Sequence, residues 1–74
     1  MEQVLSGSIA NCVYEQRVVR RLSQQQLAAA VGVSKQTILA MEKGNYSPSL
    51  SLAFKLARYF NIDINELFTY NEGE

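Results

Sequence analysis

Helix-starting and helix-ending residues recur at short intervals along this chain, and they restrict its fold more than any other feature. They divide it into five short segments, of which four or five have helical periodicity. Short helices are marginal alone and are stabilised by packing on one another. The sequence therefore predicts one all-α domain. The residues that mark the boundaries are Ser23, Ser34, Ser49, Asp63, Gly32 and Gly44.

The second and third helices have the clearest boundaries. Ser23 followed three positions later by Gln26 is a capping-box pattern, which predicts a helix over residues 24–31. Gly32 can take the left-handed conformation that stops this helix, and a third helix is predicted over residues 35–42. Two helices joined by a tight glycine-containing turn form the helix-turn-helix arrangement, whose second helix can enter the major groove of DNA.

The other helices are predicted from apolar spacing and further caps. Ile9, Cys12 and Val13 favour a first helix over residues 9–20, and Asp63 with Glu66 predicts a short fifth helix over residues 64–68. A fourth helix begins at Ser49, or at Ser47 as the alternative. Its predicted inward stripe is Leu50, Ala53, Phe54, Ala57 and Phe60.

Composition excludes several classes of function. The chain has 74 residues, 47% of them apolar, with one cysteine and no histidine. We therefore predict a single globular domain with no catalytic residues, no metal site, no cofactor and no separate domain for a small-molecule effector. No apolar run approaches the roughly 18 residues of a membrane span, and no secretory signal is evident, so we expect a cytoplasmic protein without a membrane partner.

Charge is unevenly distributed although the net charge is zero. Residues 17–58 hold seven basic side chains and one acidic side chain, a net charge of +6, whereas the flanks hold six acids. A basic middle segment is typical of a surface that faces phosphates, and ordinary solvated charge is the alternative. The basic residues are Arg17, Arg20, Arg21, Lys35, Lys43, Lys55 and Arg58.

Four linked motifs then add a specific resemblance. Residues 22–28 (LSQQQLA), 31–38 (VGVSKQTI), 41–50 (MEKGNYSPSL) and 60–68 (FNIDINELF) closely resemble the Cro and phage-repressor family of helix-turn-helix regulators. The resemblance covers residues 11–70. It implies a five-helix lambda-repressor-like domain over residues 9–70, between a loose leader at 1–8 and an acidic tail at 71–74. It also implies a sequence-specific repressor whose partner is double-stranded DNA.

The resemblance implies roles for individual residues. Bases would be read by Lys35, Gln36 and Ala40, and Leu39 is added as an apolar contact if it turns far enough. Glutamine can bind adenine through two hydrogen bonds, and lysine can donate to guanine or to a phosphate. Arg17 and Glu42 match a structural ion pair of the family. The matched phosphate contacts are Gln24, Thr37, Lys43, Asn45 and Tyr46.

Two departures from the family pattern alter these expectations. Arg21 stands where the family often has glycine at the end of the first helix, so that helix can end differently and Arg21 can contact a phosphate. Residues 1–8 have no clear counterpart. With Ile9 they could instead form a short strand against residues 68–70, as in some small family members.

The apolar C-terminal segment predicts a homodimer. One recognition helix reads too few base pairs to single out a genomic site, whereas two related by symmetry read a palindromic operator. We predict a contact through Ile64, Leu67, Phe68 and Tyr70; the alternative is that Phe68 and Tyr70 cover the first helix of the same chain. A protein-interaction module such as an antitoxin is the second functional hypothesis, and an enzyme the third.

Overall fold

A computed structural model describes residues 8–72 of the chain, in which helices account for about 58% of the residues. The predicted leader and acidic tail extend into residues 1–7 and 73–74, which lie outside the described residues. No helix in the described part is long and apolar enough to span a membrane. Seven elements follow in chain order: β1 (Ser8–Asn11), α1 (Val13–Val19), α2 (Gln24–Val31), α3 (Lys35–Glu42), α4 (Leu50–Phe60), α5 (Ile64–Leu67) and β2 (Phe68–Asn71).

The helix-turn-helix, α2 and α3, has the predicted boundaries, because each boundary depends on local chemistry. The Ser23 hydroxyl accepts from the backbone N–H of Gln26 at 3.0 Å, and the Gln26 side chain accepts from the N–H of Ser23 at 2.8 Å. Gly32 ends α2 in the left-handed region, with φ +77°. Ser34 caps α3 by accepting from the N–H of Thr37.

The N-terminal segment differs from the predicted first helix. Residues 8–11 form β1, which pairs antiparallel with β2 and places Ile9 opposite Tyr70 and Asn11 opposite Phe68. The prediction of a helix from residue 9 is therefore wrong at its start, and the strand alternative is confirmed for residues 8 and 9. The fifth helix ends at Leu67 rather than residue 68, because Phe68 is extended and begins β2. We call the pair of strands the ribbon.

Helix α4 buries a different stripe from the one predicted. Leu50 is 71% exposed and Phe54 is 47% exposed, whereas Leu52 and Leu56 are buried. The helix carries apolar residues on more than one side, so spacing alone does not decide which stripe faces α2 and α5. The prediction that Leu50 and Phe54 point inward was wrong, although Ala53, Ala57 and Phe60 are buried as expected.

The core lies between the helices and includes the end of α5. Val13, Leu27, Ile38 and Met41 are fully buried, and Leu67 is only 1% exposed. Leu67 therefore packs inside its own domain and has no surface to offer a second copy. Its predicted place in a dimer contact is corrected on this ground.

Helix α1 ends in the way that glycine would allow. Arg21 has φ +58°, which lies in the left-handed region that usually costs a side-chain-bearing residue roughly 1–2 kcal/mol. Arg21 thus takes a conformation that glycine adopts without strain, although it carries a side chain. This conformation also leaves the Arg21 side chain exposed between α1 and α2.

Candidate nucleic-acid interface

The outer face of α3 is exposed to solvent and is the first candidate ligand-binding surface. Its inner side is anchored by Ile38 and Met41, which are fully buried, while Lys35, Gln36 and Leu39 are exposed. Among residues 8–72, the side chains of Lys35 and Gln36 make no hydrogen bond or ion pair. The helix is therefore held from one side and offers polar groups on the other.

Two further predicted residues of α3 are less accessible. Ala40 is half-buried, so it offers only part of its methyl group for apolar contact. Thr37 is also half-buried, and its hydroxyl lies 3.1 Å from that of Ser34. A hydroxyl can donate one hydrogen bond and accept others, so Thr37 can keep this contact and still bind an anion.

Arg17 of α1 and Glu42 of α3 lie in direct contact. The Nε–Oε2 distance is 2.6 Å and the Nη2–Oε1 distance is 3.1 Å, which is the two-bond geometry that arginine forms with carboxylates. Their side chains are only 12% and 6% exposed. The hydrogen bond to Glu42 raises the pKa of Arg17 above its ordinary value. A third N–H of Arg17 binds the backbone oxygen of Leu22.

Gln24 joins this pair from the first turn of α2. Its Nε2 donates to Glu42 Oε1 at 3.1 Å, so one carboxylate binds both Arg17 and Gln24. This contact places the N-terminus of α2 beside the C-terminus of α3, next to Lys43. Backbone N–H groups and the helix dipole favour an anion at that N-terminus, and Gln24 has a second amide N–H with which to donate.

The remaining phosphate candidates lie on two loops. Lys43, Asn45 and Tyr46 are exposed in the loop after α3, which is held by bonds from the N–H of Gly44 to Met41 O and from the N–H of Asn45 to Ala40 O. Gly44 has φ +82°, a conformation that glycine takes without strain. Arg21 lies apart from them, between α1 and α2.

Not every basic side chain is available to a ligand. Arg20 donates to the backbone oxygen of Phe60 at 2.7 Å and lies 4.8 Å from the centre of its ring. It also binds Gln16, four residues earlier on α1. Arg17 is therefore a structural residue. Arg20 is exposed but bonded within the chain, so fewer cations are free to bind a ligand than the net charge of +6 over residues 17–58 indicates. The link from Arg20 to Phe60 spans 40 residues and has no local sequence signal.

A second candidate surface lies on the other side of the loop after α3. Cross-strand partners share one side of a ribbon, so Ile9, Asn11, Phe68 and Tyr70 lie on one side. Two adjoining grooves of about 330 and 240 Å³ share Ile9, Ile64 and Phe68 in their walls. Asn65 and Thr69 also line the second groove. We call the other lining residues the apolar face, made of Ile9, Pro48, Leu50, Ala53, Ile64, Phe68 and Tyr70.

Of the predicted dimer contacts, Ile64, Phe68 and Tyr70 lie on the apolar face and Leu67 does not. Sequence analysis missed Ile9 and Leu50, because it placed both on helices with their side chains inward. Within residues 8–72, no group of three or more His, Cys, Asp or Glu side chains is arranged to hold a metal ion.

A capped and anchored α3 with a free outer face, preceded by α2 across a glycine turn, defines a helix-turn-helix DNA-binding domain. The chain belongs to the helix-turn-helix family that includes Cro and the phage repressors, and residues 13–67 match the helix-turn-helix family profile. It is a DNA-binding transcription regulator.

Individual relatives agree with this assignment. An HTH-type transcriptional regulator of Methanocaldococcus jannaschii is 50% identical over 58 residues, which cover 78% of this chain and 88% of the relative. The cryptic phage CTXphi transcriptional repressor RstR of Vibrio cholerae is 45% identical over 56 residues, covering 76% of this chain and 50% of RstR. The crystal structure of the restriction-modification controller protein C.AhdI from Aeromonas hydrophila matches with a TM-score of 0.68 and 31% identity, covering 73% of this chain and 82% of that protein.

Proposed function

We propose that this regulator is a sequence-specific repressor that binds a palindromic operator as a two-fold homodimer. The observation that carries the proposal is the outer face of α3, whose polar side chains are exposed and without partners among residues 8–72 while its inner face is anchored. A helix of this kind fits the major groove, where each base pair presents its own pattern of donors and acceptors.

Base reading is assigned to the exposed side of α3. Gln36 can bind adenine through N6 and N7, and Lys35 can donate to guanine O6 and N7. Leu39 is 36% exposed and Ala40 is half-buried, so these two can offer apolar contact to a thymine methyl group. Gln36 carries most of the expected sequence preference, because it offers a donor and an acceptor together.

Phosphate binding is assigned to the groups that surround α3. Gln24 acts with the N-terminus of α2, and Thr37 acts from the side of α3. The other proposed contacts are Arg21, Lys43, Asn45 and Tyr46, all exposed. Two of these six are cations, so each protomer would neutralise about two phosphates, and log affinity would fall with log salt concentration at a slope of about −4 for a dimer.

The apolar face is assigned to the dimer contact. Leu50 and Tyr70 are 71% and 55% exposed, and they adjoin Ile9, Ile64 and Phe68 across the two grooves. Contiguous exposed apolar surface of this kind marks interfaces, and a domain of this size gains stability from pairing. A two-fold contact there would direct both α3 helices toward one face of DNA, about 34 Å apart.

Repression, rather than activation, is supported by the similarity to RstR, a transcriptional repressor. A dimer bound across a promoter would block access to it, and this mechanism needs no second domain. This mechanism is therefore compatible with the single domain that residues 8–72 form.

Selection of DNA fragments from a random pool by the purified protein tests the proposal. We expect an inverted repeat with half-sites about 10 base pairs apart, centre to centre, and binding that weakens steeply with salt. Recovery of a single unrepeated motif would contradict the dimer. Recovery of no motif, with DNA binding insensitive to salt, would contradict sequence-specific recognition and favour a protein-interaction module.

A further inference from the structure

We propose that Asn11 is a positioning residue for sequence reading: its side-chain amide ties the ribbon to the C-terminal end of α3 and so sets the direction of the recognition helix. The inference rests on the proposed function, since it concerns how α3 is held for base reading. Asn11 is half-buried and touches none of the proposed base-reading residues.

The amide of Asn11 makes two bonds that fix its orientation. Its Oδ1 accepts from the backbone N–H of Val13 at 2.9 Å, and its Nδ2 donates to the backbone oxygen of Met41 at 3.0 Å. Only one orientation of the amide satisfies both neighbours, because one is a donor and the other an acceptor. A single side chain thus joins β1, the start of α1 and the end of α3.

The oxygen of Met41 accepts two hydrogen bonds, a local one from the N–H of Gly44 in the next loop and a long-range one from Asn11. Helix carbonyl groups point along the axis toward the C-terminus, so Asn11 holds α3 end-on. Arg17 and Gln24 instead hold Glu42 through its side chain. The side chain of Met41 is fully buried, so this residue is held both by the core and at its carbonyl.

The side-chain hydrogen bonds that tie α3 to distant elements lie at its C-terminal end, whereas Lys35 and Gln36 lie at the other end, beyond the buried Ile38. Lys35 is about 4.5 Å along the axis from Ile38, at 1.5 Å per residue. A tilt of about 10° about Ile38 would therefore move Lys35 by about 0.8 Å, whereas paired recognition geometry must be held within about 0.5 Å. Loss of one end-on bond can thus reduce base discrimination without unfolding the domain.

Asn11 also connects the two surfaces of the molecule. It pairs with Phe68 in the ribbon and lies on the same side of it as Ile9, whose neighbours form the apolar face. Asn11 therefore lies in the ribbon that carries part of the apolar face and is bonded directly to α3.

Asn11→Asp is the sharpest test, because aspartate keeps the acceptor for Val13 N–H but cannot donate to Met41 O when ionised. The matched control is Asn71→Asp, which adds the same charge to an exposed ribbon position. Operator DNA selected by the wild type and a scrambled duplex are titrated with each variant. We expect the ratio of the two affinities to fall about 10-fold for Asn11→Asp and to stay unchanged for the control.

Asn11→Ser serves if the aspartate variant does not fold, since serine can accept from Val13 N–H but is too short to reach Met41 O. An unchanged ratio in a folded variant, or equal losses on both duplexes, would overturn the inference.

Backbone amide NMR shifts of α3 provide a measurement without DNA. They should change at Met41 and Glu42 in Asn11→Asp, and identical shifts would also reject the role. If the proposed function is wrong, the wild-type protein will select no operator, and this outcome differs from a change in the affinity ratio of a variant.

Discussion

The outer face of α3 and the apolar face differ in how they are built. The α3 face presents hydrogen-bonding side chains on a helix that is capped by Ser34, anchored in the core and bonded at Glu42. The apolar face presents side chains without hydrogen-bonding groups apart from Tyr70, on the ribbon, α4 and α5. The loop after α3 adjoins both, since Lys43 directly follows α3 and Pro48 lines the apolar face.

Because of this difference, we expect substitutions in different parts of the molecule to change different free energies: that of unfolding, that of association or that of DNA binding. Contacts that hold α3 are made inside one chain, so their loss lowers the free energy of unfolding. On the apolar face Ile9, Leu50 and Tyr70 are exposed in the single chain, so we expect changes at these residues to alter the proposed association. We expect substitutions on the outer side of α3 to change DNA affinity alone. Substitutions that change one of these free energies at a time test this difference.

The largest effect is expected at the Arg17–Glu42 pair. Arg17→Ala should lower the free energy of unfolding by about 3–5 kcal/mol, because the Glu42 side chain is only 6% exposed and keeps, among residues 8–72, Gln24 alone as a side-chain partner. Denaturant unfolding of both single variants and the double variant measures the coupling. Additive losses would show that the pair does not act as a unit.

A substitution on the apolar face should weaken the dimer next most strongly. Leu50→Asp should weaken the dimer about 100-fold, or 2–3 kcal/mol, by placing a charge in the contact while leaving the core intact. Val19→Asp is the matched control, because Val19 is 73% exposed on α1, outside that face. Sedimentation should show the 8.3 kDa monomer for Leu50→Asp, and a dimer for the wild type and for Val19→Asp. A wild type that is already monomeric at micromolar concentration would reject the proposed interface.

A smaller effect is expected on the outer side of α3. Gln36→Ala should cost about 1–3 kcal/mol of operator binding and relax base preference at one position of each half-site. Gln25→Ala changes an equally exposed glutamine on α2 and should have no such effect. Titration against the operator and a scrambled duplex distinguishes the roles. Equal losses on both duplexes would remove Gln36 from the base-reading set.

The smallest effect is expected at a phosphate contact. Lys43→Ala should weaken binding to all sequences about equally and reduce the slope of log affinity against log salt by about 1 per protomer. Lys55→Ala removes an exposed lysine from α4 and should leave the slope unchanged. Binding isotherms at several salt concentrations measure it. An unaltered slope for Lys43→Ala would place that lysine away from the phosphates.

The elements differ in how well the sequence predicted them. Helices α2 and α3 agree residue for residue, since serine caps and Gly32 act on neighbouring backbone groups. The pairing of Arg17 with Glu42 followed from the family resemblance rather than from any local pattern. The bonds from Asn11 to Met41 and from Arg20 to Phe60 were not predicted, because they join residues 30 and 40 positions apart.

The sequence by itself determined where the central helices begin and end and which residues face outward on α3. These features depend on capping bonds and on one stripe of apolar residues within a single helix. Only the tertiary structure decided that Ile9 belongs to a strand, that Leu67 is core and that Leu50 is surface. Each of these depends on a partner distant in the chain: β2 for Ile9, and the packing of helices with several apolar sides for the two leucines. Local chemistry cannot specify such partners, because the free energy that selects them appears only when the whole core is assembled.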